Sequence, residues 1–344
     1  MPATIKDIAL ELGISHMTVS RALRGHPHVK EEIRAKVLET ARKLDYHPNA
    51  LARGLKGMRT QLVGLIITDL ENHFTASAAT ALQAELSKNG YRLLLCVTGD
   101  EPANEIDYLR AMREERVEGL IWVPCAGSHS EEAIQQYIRE GIPVVQFIRQ
   151  AYTELDAILP DDVGGAEQAT RRLLDLGHTR IGIIVGPQEI STARGRLDGY
   201  MSALRSASVE PDESLIVSGR LHRSTGKKAV EKLLALPSPP SALFATSSVL
   251  LLGALRALHQ RGTRIPQDLS VVGFGDPDWC CAWSPSITTV AFATQGMAKA
   301  VVQILLQRIR ERSIEVTHHP VLSRFGFELE VRESDGPLLL KSRR

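Results

Sequence analysis

The run Ser15-His16-Met17-Thr18-Val19-Ser20-Arg21 brings together side chains suited to reading a nucleic-acid duplex. A guanidinium at Arg21 can fork onto O6 and N7 of a guanine, which is worth roughly 1–3 kcal/mol of discrimination. His16 can donate or accept a hydrogen bond, and Met17 offers apolar contact to a thymine methyl. The hydroxyls of Ser15, Thr18 and Ser20 suit phosphate oxygens, which fix position rather than sequence. Such chemistry requires a rigid helix with its apolar residues turned away. Val19, Ala22 and Leu23 supply that inward face. Met17 is then left for the outside, its alternative being a place in the core.

The flanking pattern provides the support. Ile5, Ile8, Ala9 and Leu12 repeat at helical spacing, with Thr4 and Asp7 as a helix start. Gly13 ends that run, and Ser15 can cap a second helix over His16 to Leu23. A third helical pattern extends from about Glu31 to Leu44, with Ile33, Val37, Leu38, Ala41 and Leu44 apolar. Two short helices around a glycine-bearing turn make a helix-turn-helix pattern, which a plain helical bundle would share. Charge separates the two readings. Residues 1–60 hold eleven Lys/Arg against six Asp/Glu; the chain totals are 41 and 40, so the remainder holds 30 and 34. A basic amino-terminal module on a slightly acidic remainder suits a polyanion partner.

At 344 residues the chain should form more than one domain. With 43% hydrophobic and 24% charged residues it belongs to the soluble globular class. No apolar run of about 18 residues is present, so no membrane span is expected. The amphipathic helix begins without an apolar signal segment, and a cytoplasmic location is expected. Cys96 and Cys125 fall in apolar strand patterns and should be buried free thiols, whereas Cys280 and Cys281 are neighbours poorly placed to bridge. No nucleophile elbow, P-loop or metal cluster occurs, so neither an enzyme nor a cofactor or metal is expected. Asp161-Asp162 could be imagined as an acid/base pair, but a crossing or ligand role is the reading preferred for it.

From Gln61 onward strand and helix patterns alternate. Leu62–Ile67, Tyr91–Val97, Gly119–Val123 and Pro143–Ile148 read as strands of one series. Ile181–Val185, Leu215–Ser218, Ala242–Ala245 and Ser270–Phe274 read as a second. Two successive βα series imply two doubly wound lobes of an α/β body.

Thr4-Ile5-Lys6-Asp7-Ile8-Ala9, Gly13 through Leu23, and Tyr46-His47-Pro48-Asn49-Ala50-Leu51-Ala52-Arg53 together resemble the headpiece of the lactose-repressor (LacI) family of transcriptional regulators. Leu176-Gly177-His178-Thr179-Arg180-Ile181, Arg196-Leu197-Asp198-Gly199-Tyr200, Val271-Val272-Gly273-Phe274 and Pro285 through Val290 are similar to motifs of that family's body. The resemblance implies an all-α helix-turn-helix headpiece over 1–48, a hinge helix or linker over 49–60, and a body over 61–344 like periplasmic binding proteins, with doubly wound parallel sheets. Lobe 1 would span about 61–160 and 292–321, and lobe 2 about 161–291 and 322–340. Crossings would fall at Leu159-Pro160-Asp161, Val290-Ala291-Phe292 and Val321-Leu322-Ser323. A homodimer would grip near-palindromic double-stranded operator DNA, with no membrane partner. Thr4, Asn49, Ala52 and Lys56 join the candidate DNA contacts, and Leu55 matches a leucine wedged into the minor groove. Gly54 weakens the hinge helix, and a plain flexible linker is the alternative. The tail from Gly336 has no heptads, so a dimer is expected.

The family also implies a small-molecule effector between the lobes, at the carboxyl ends of the strands. Matching positions are His73 and Phe74, Arg149, Asp161, Ser191, Thr192, Arg196, Ser248 and Asp276. Sugar-responsive members usually carry aspartate before Arg149, Asn-Asp at 247–248 and aspartate at 275; here these are Ile148, Ser247-Ser248 and Gly275. With those hydroxyl-binding groups gone and both arginines kept, the expectation is an anionic or partly apolar effector. A neutral sugar, or a purely bracing Arg196, is the alternative. A solute-binding protein or an enzyme on the same lobes remains the rival function.

Overall fold

The computed structural model describes residues 3–23, 26, 28–46, 59–312 and 319–338. The hinge positions Asn49, Ala52, Leu55 and Lys56, and the tail from residue 339, lie outside the described residues. The chain divides into two units, Met1–Thr60 and Gln61–Arg344.

The first unit holds α1 (Ile5–Leu12), α2 (His16–Leu23) and α3 (Glu31–Lys43). Thr4 donates from both its backbone N and its Oγ1 to the Asp7 carboxylate, each at 2.7 Å, and these bonds hold Asp7 below the usual carboxylate range. Gly13 closes α1 in the left-handed region at φ 63°. Ser15 Oγ accepts from Thr18 N at 3.0 Å and starts α2. Ile8, Val19 and Val37, one from each helix, are fully buried together. Leu38 is 40% exposed, although spacing assigns it to the apolar stripe; Thr40 takes the inward place beside Val37 and Ala41.

The first lobe of the body contains β1 (Leu62–Ile67), α4 (His73–Lys88), β2 (Arg92–Val97), α5 (Pro102–Glu114), β3 (Gly119–Trp122), α6 (Glu131–Arg139), β4 (Val144–Phe147) and β5 (Asp156–Pro160). The second contains α7 (Asp162–Asp175), β6 (Ile181–Val185), α8 (Ser191–Ser206), a 3-10 turn (Glu213–Leu215), β7 (Ile216–Ser218), α9 (Arg223–Leu234), β8 (Ala242–Ala245), α10 (Ser248–Gln260), β9 (Ser270–Phe274), α11 (Trp279–Ala282) and β10 (Thr288–Phe292). The chain then returns. α12 (Thr294–Glu311) packs Met297, Val301, Val302 and Leu305 into the core of the first lobe, and β11 (Leu322–Phe325) joins its sheet. β12 (Phe327–Glu330) belongs to the second sheet.

The strand orders are β11-β5-β4-β3-β1-β2 and β12-β10-β9-β8-β6-β7. All pairings are parallel except β12 on β10. Strands β3, β6, β8 and β9 are buried throughout, as continuous apolar runs covered on both faces should be.

The topology corrects three sequence expectations. Residues 156–160 form a strand rather than a bare connection. Leu322 pairs with Ala157 and Phe325 with Pro160, so 322–325 belong to the first lobe and the third crossing falls at Gly326, not at 321–323. The first crossing falls at Asp161, within the expected 159–161, but Val290–Phe292 are the end of β10 and pair with β12, so the second crossing falls at Ala293 and not at 290–292. The apolar spacing places helices over Ala76–Asn89, Gly165–Leu176 and Arg196–Ser206, whereas α4, α7 and α8 begin earlier, at His73, Asp162 and Ser191. Asn72 caps α4 (accepting from Phe74 N at 3.1 Å) and Asp161 caps α7 (accepting from Gly164 N at 3.1 Å). All four cysteines are free; Cys125 and Cys280 are buried, Cys96 is only half-buried, and Cys281 is exposed. Among the described residues, no helix is long and apolar enough to cross a membrane.

Two features of the second lobe lead to measurable expectations. α7 and α8 approach so closely that a Cβ at Gly199 would meet the Val163 carbonyl oxygen and the Glu167 amide. Gly199→Ala should therefore lower stability by about 1–3 kcal/mol in thermal or urea unfolding, despite alanine's better helix propensity. The carboxyl-terminal segment is clipped in place by buried His178, whose Nδ1 lies 2.9 Å from Ser241 Oγ and whose Nε2 lies 3.0 Å from Gly336 O. Burial lowers the His178 pKa, against the pull of the Gly336 carbonyl and Asp335. The unfolded chain then binds the proton more readily, so this contribution is complete above about 6.5 and declines as pH falls below it. Urea unfolding should show that decline, and His178→Asn should flatten it.

Candidate nucleic-acid interface and interlobe cleft

On α2 the inward side is Val19 and Ala22, both essentially inaccessible. The opposite side presents Ser15, His16, Met17 and Arg21 to solvent, with Thr18 and Ser20 half-buried. Met17 is 55% exposed, which removes core packing as its role. Thr18 Oγ1 lies 2.9 Å from Ser15 Oγ, so these hydroxyls brace the helix start while remaining at its surface. Thr4 is exposed, but its hydroxyl proton is committed to Asp7. From Leu12 through Lys30 the sequence has no Asp or Glu and carries Arg21, Arg24 and Lys30. This surface can accept hydrogen bonds, donate them and bear positive charge without an opposing carboxylate on the same stretch.

In the body, the carboxyl ends of the strands of both lobes face a cavity of about 40 Å³. The first lobe contributes Asp69, Asn72, Phe74, Ile148 and Arg149, the second Thr192, Arg196, Ser247, Ser248 and Gly275, with Phe292 at the crossing. Of the residues expected here, Phe74, Arg149, Thr192, Arg196 and Ser248 line the cavity. The other four do not. His73 Nε2 sits 3.2 Å from Ser77 Oγ, one turn along its own helix. Asp161 is spent on capping α7. Ser191 Oγ accepts from Gln150 N at 3.1 Å, a bond between the lobes beside the cavity. Asp276 accepts from Arg332 Nη1 and Nη2 and from Thr289 Oγ1, each at 2.7 Å. Burial pushes its carboxyl up, but these bonds hold it below the usual range.

The two arginines are not the unmatched charges that the sequence suggests. Arg149 Nη1 donates to Asp100 Oδ1 at 2.7 Å and to the Pro124 carbonyl at 3.0 Å. Arg196 donates from Nε to Asp162 at 2.8 Å and from Nη1 to the Thr246 carbonyl at 2.6 Å, with its guanidinium carbon 4.1 Å above the Phe274 ring. Arg196 is thus both a brace between α7 and α8 and a wall of the cavity. Asp162 is pushed up to about 6 by burial, with Arg196 pulling it back, and burial likewise lowers Arg196. The sequence singles out Asp162 but not its pairing with Arg196, and it gives no sign of Asp100, because partners distant in sequence carry no local signal; Asp69, two residues beyond the end of β1, is likewise unmarked.

Two further features shape the wall. Ile148 stands at φ 66°, and Arg149 N donates back to Phe147 O at 2.7 Å. This is a γ-turn with a β-branched residue in the left-handed region, a strained geometry that persists only where its surroundings impose it. Phe74 stacks on Phe292 with ring centroids 3.8 Å apart, and Phe274 meets Phe292 edge-on at 5.5 Å.

Comparison with known proteins gives this geometry a lineage. Residues 4–49 match the profile of bacterial regulatory proteins of the lacI family, and residues 170–334 match that of a periplasmic binding protein-like domain. The chain is 35% identical over 310 residues to the ribose operon repressor of Haemophilus influenzae, covering 90% of this chain and 92% of that protein. It is 32% identical to the transcriptional repressor PurR of Aliivibrio salmonicida, covering 94% and 98%. A solved complex of the transcriptional regulator CelR with cellobiose superimposes with a TM-score of 0.73 at 29% identity, covering 97% of this chain and all of that one. Because the similarity runs through headpiece and body alike, the chain belongs to the lacI family of bacterial regulatory proteins and is a DNA-binding transcriptional regulator rather than an enzyme.

Proposed function

We propose that this protein is a cytoplasmic, homodimeric repressor that reads a near-palindromic operator and is controlled by a small effector held between its lobes. The observation that carries the DNA-reading part is the exposure of His16, Met17 and Arg21 on one face of α2, opposite a fully buried Val19. In this reading α2 enters the major groove, His16 and Met17 meet base edges, and Arg21 forks onto a guanine. Ser15, Thr18 and Ser20 face phosphates, and Thr4 contributes through the helix start it organises. Asn49, Ala52, Leu55 and Lys56 act at the hinge, with the Leu55 pair wedged into the central minor groove. The names of the relatives, a ribose operon repressor and PurR, support repression.

The effector is a neutral, partly apolar polyol-like molecule rather than an anion. Arg149 and Arg196 retain donors but arrive already paired with Asp100 and Asp162, and Asp69 adds a further negative charge to the wall. The stacked Phe74 and Phe292 with Ile148 offer an apolar surface. A cavity of about 40 Å³ is far below the roughly 300 Å³ at which ligand pockets begin. Entry therefore requires the lobes to part, and this need couples occupancy to the body's shape.

Selection of bound sequences from random DNA should yield a symmetric site whose affinity falls steeply with salt. Arg21→Ala should weaken preference at one base per half-site by about 1–3 kcal/mol. Failure to select any sequence would remove the regulatory reading, and unchanged preference would remove Arg21 from the reading role. Calorimetry against neutral pentoses, hexoses and disaccharides and against small mono- and dicarboxylates should give binding only in the neutral set. Binding confined to the carboxylates would overturn the neutral-effector reading.

A further inference from the structure

The connection between β3 and α6, residues 123–130, forms a tongue that reaches the other lobe. Ala126 packs against Val185, Ile190 and Ala193 of the second lobe. Two carboxylates hold the tongue. Fully buried Glu105 accepts from Cys125 N at 2.7 Å, Trp122 Nε1 at 3.0 Å, Ser128 Oγ at 2.5 Å and Ser130 Oγ at 2.6 Å. That network makes no contact with the cavity. Asp100 does the opposite. Its Oδ1 accepts from the backbone N of Ala126 at 3.0 Å and from Arg149 Nη1 at 2.7 Å. The same Nη1 donates to the Pro124 carbonyl at 3.0 Å. Arg149, Asp100 and the start of the tongue thus close a ring of three hydrogen bonds. The next residue, Gln150, donates its backbone N to Ser191 Oγ of the second lobe.

We propose that Asp100 is a positioning residue that couples the cavity to the interlobe contact, one carboxylate oxygen holding both the cavity arginine and the tongue that touches the second lobe. This rests on the reading of the cavity as the effector site. An effector acceptor that draws the Arg149 guanidinium toward itself loosens its bonds to Pro124 O and Asp100 Oδ1. Asp100, 30% exposed and set at φ 61°, is then free to move, and Ala126 loses its fixed partner. The tongue slides against Val185, Ile190 and Ala193 while Glu105 keeps its remainder folded. Occupancy of the cavity becomes a change in how the lobes meet, through a discrete set of bonds.

Amide hydrogen exchange on the full chain tests this. Asp100→Ala and Arg149→Gln should each speed exchange about ten-fold at 124–128 and at 185–193, while 105–122 keeps wild-type protection. The double variant should exchange no faster than the single ones, because both changes cut one link. Asp100→Asn keeps an acceptor oxygen for Ala126 and should recover most of the protection at 124–128. If Asp100→Ala does not fold, the cycle is run with Asp100→Gly, which removes the same carboxylate and accommodates φ 61°, and with Arg149→Gln, and it should again be non-additive. Wild-type exchange at 185–193 in the single variants, or additive acceleration in the double, overturns the proposal. Neither DNA nor effector enters the measurement, so its failure leaves the proposed function standing, and failure to select an operator leaves this coupling standing.

Discussion

The buried ion pair between Arg196 and Asp162 is the constraint around which the second lobe is arranged. Both side chains are almost fully enclosed, and the pair joins the first turn of α7 to the second turn of α8 while Arg196 reaches the Thr246 carbonyl just beyond the end of β8. Burial opposes both charges, which raises the acid and lowers the base. Such a pair contributes little to net stability, yet leaving either member alone would cost about 3–5 kcal/mol. What it supplies is geometry: only one approach of α7 to α8 lets the guanidinium meet Asp162, Thr246 O and the Phe274 face together. The close contact at Gly199 is the packing counterpart of that requirement.

The same logic changes the character of the cleft. Arginine forks facing a cavity suggest anion capture when only one strand end at a time is considered. Three-dimensional pairing with Asp100 and Asp162 leaves their donors in place but cancels much of their charge. A wall of this kind discriminates by hydrogen-bond pattern and shape more than by charge, and the Phe74–Phe292 stack and Ile148 add surface that favours carbon over oxygen.

Much of this was legible in the sequence, and what escaped has a physical reason. Periodicity marks apolar faces, so α1, α2, α3 and the central strands stand out, and glycine at 13 and the caps at Thr4 and Ser15 mark their ends. First turns with at most one large apolar residue show no apolar period, so α7 and α8 start earlier than their pattern suggests. β11 is a half-exposed edge strand without a buried run, which is why Leu322–Phe325 reads as a connection. Motif matching located Arg149 and Arg196 but could not see who neutralises them, since Asp100 and Asp162 lie 49 and 34 residues away. Ser191 and Asp276 have the right chemistry for a ligand, but Ser191 Oγ accepts from Gln150 N and the Asp276 carboxylate accepts from Arg332 and Thr289.

The last return of the chain is also the shortest. Only Gly326 separates Phe325, packed with the first lobe, from Phe327, packed with the second, and the backbone N of Asp161 at the neighbouring crossing donates to Phe325 O at 2.8 Å. Two rigid plates are thereby soldered at a spot one peptide wide. Any swivel of one plate against the other must be taken up here by a single pair of backbone torsions, so a fraction of a turn at this pivot is geared up into ångströms of travel at the far rims.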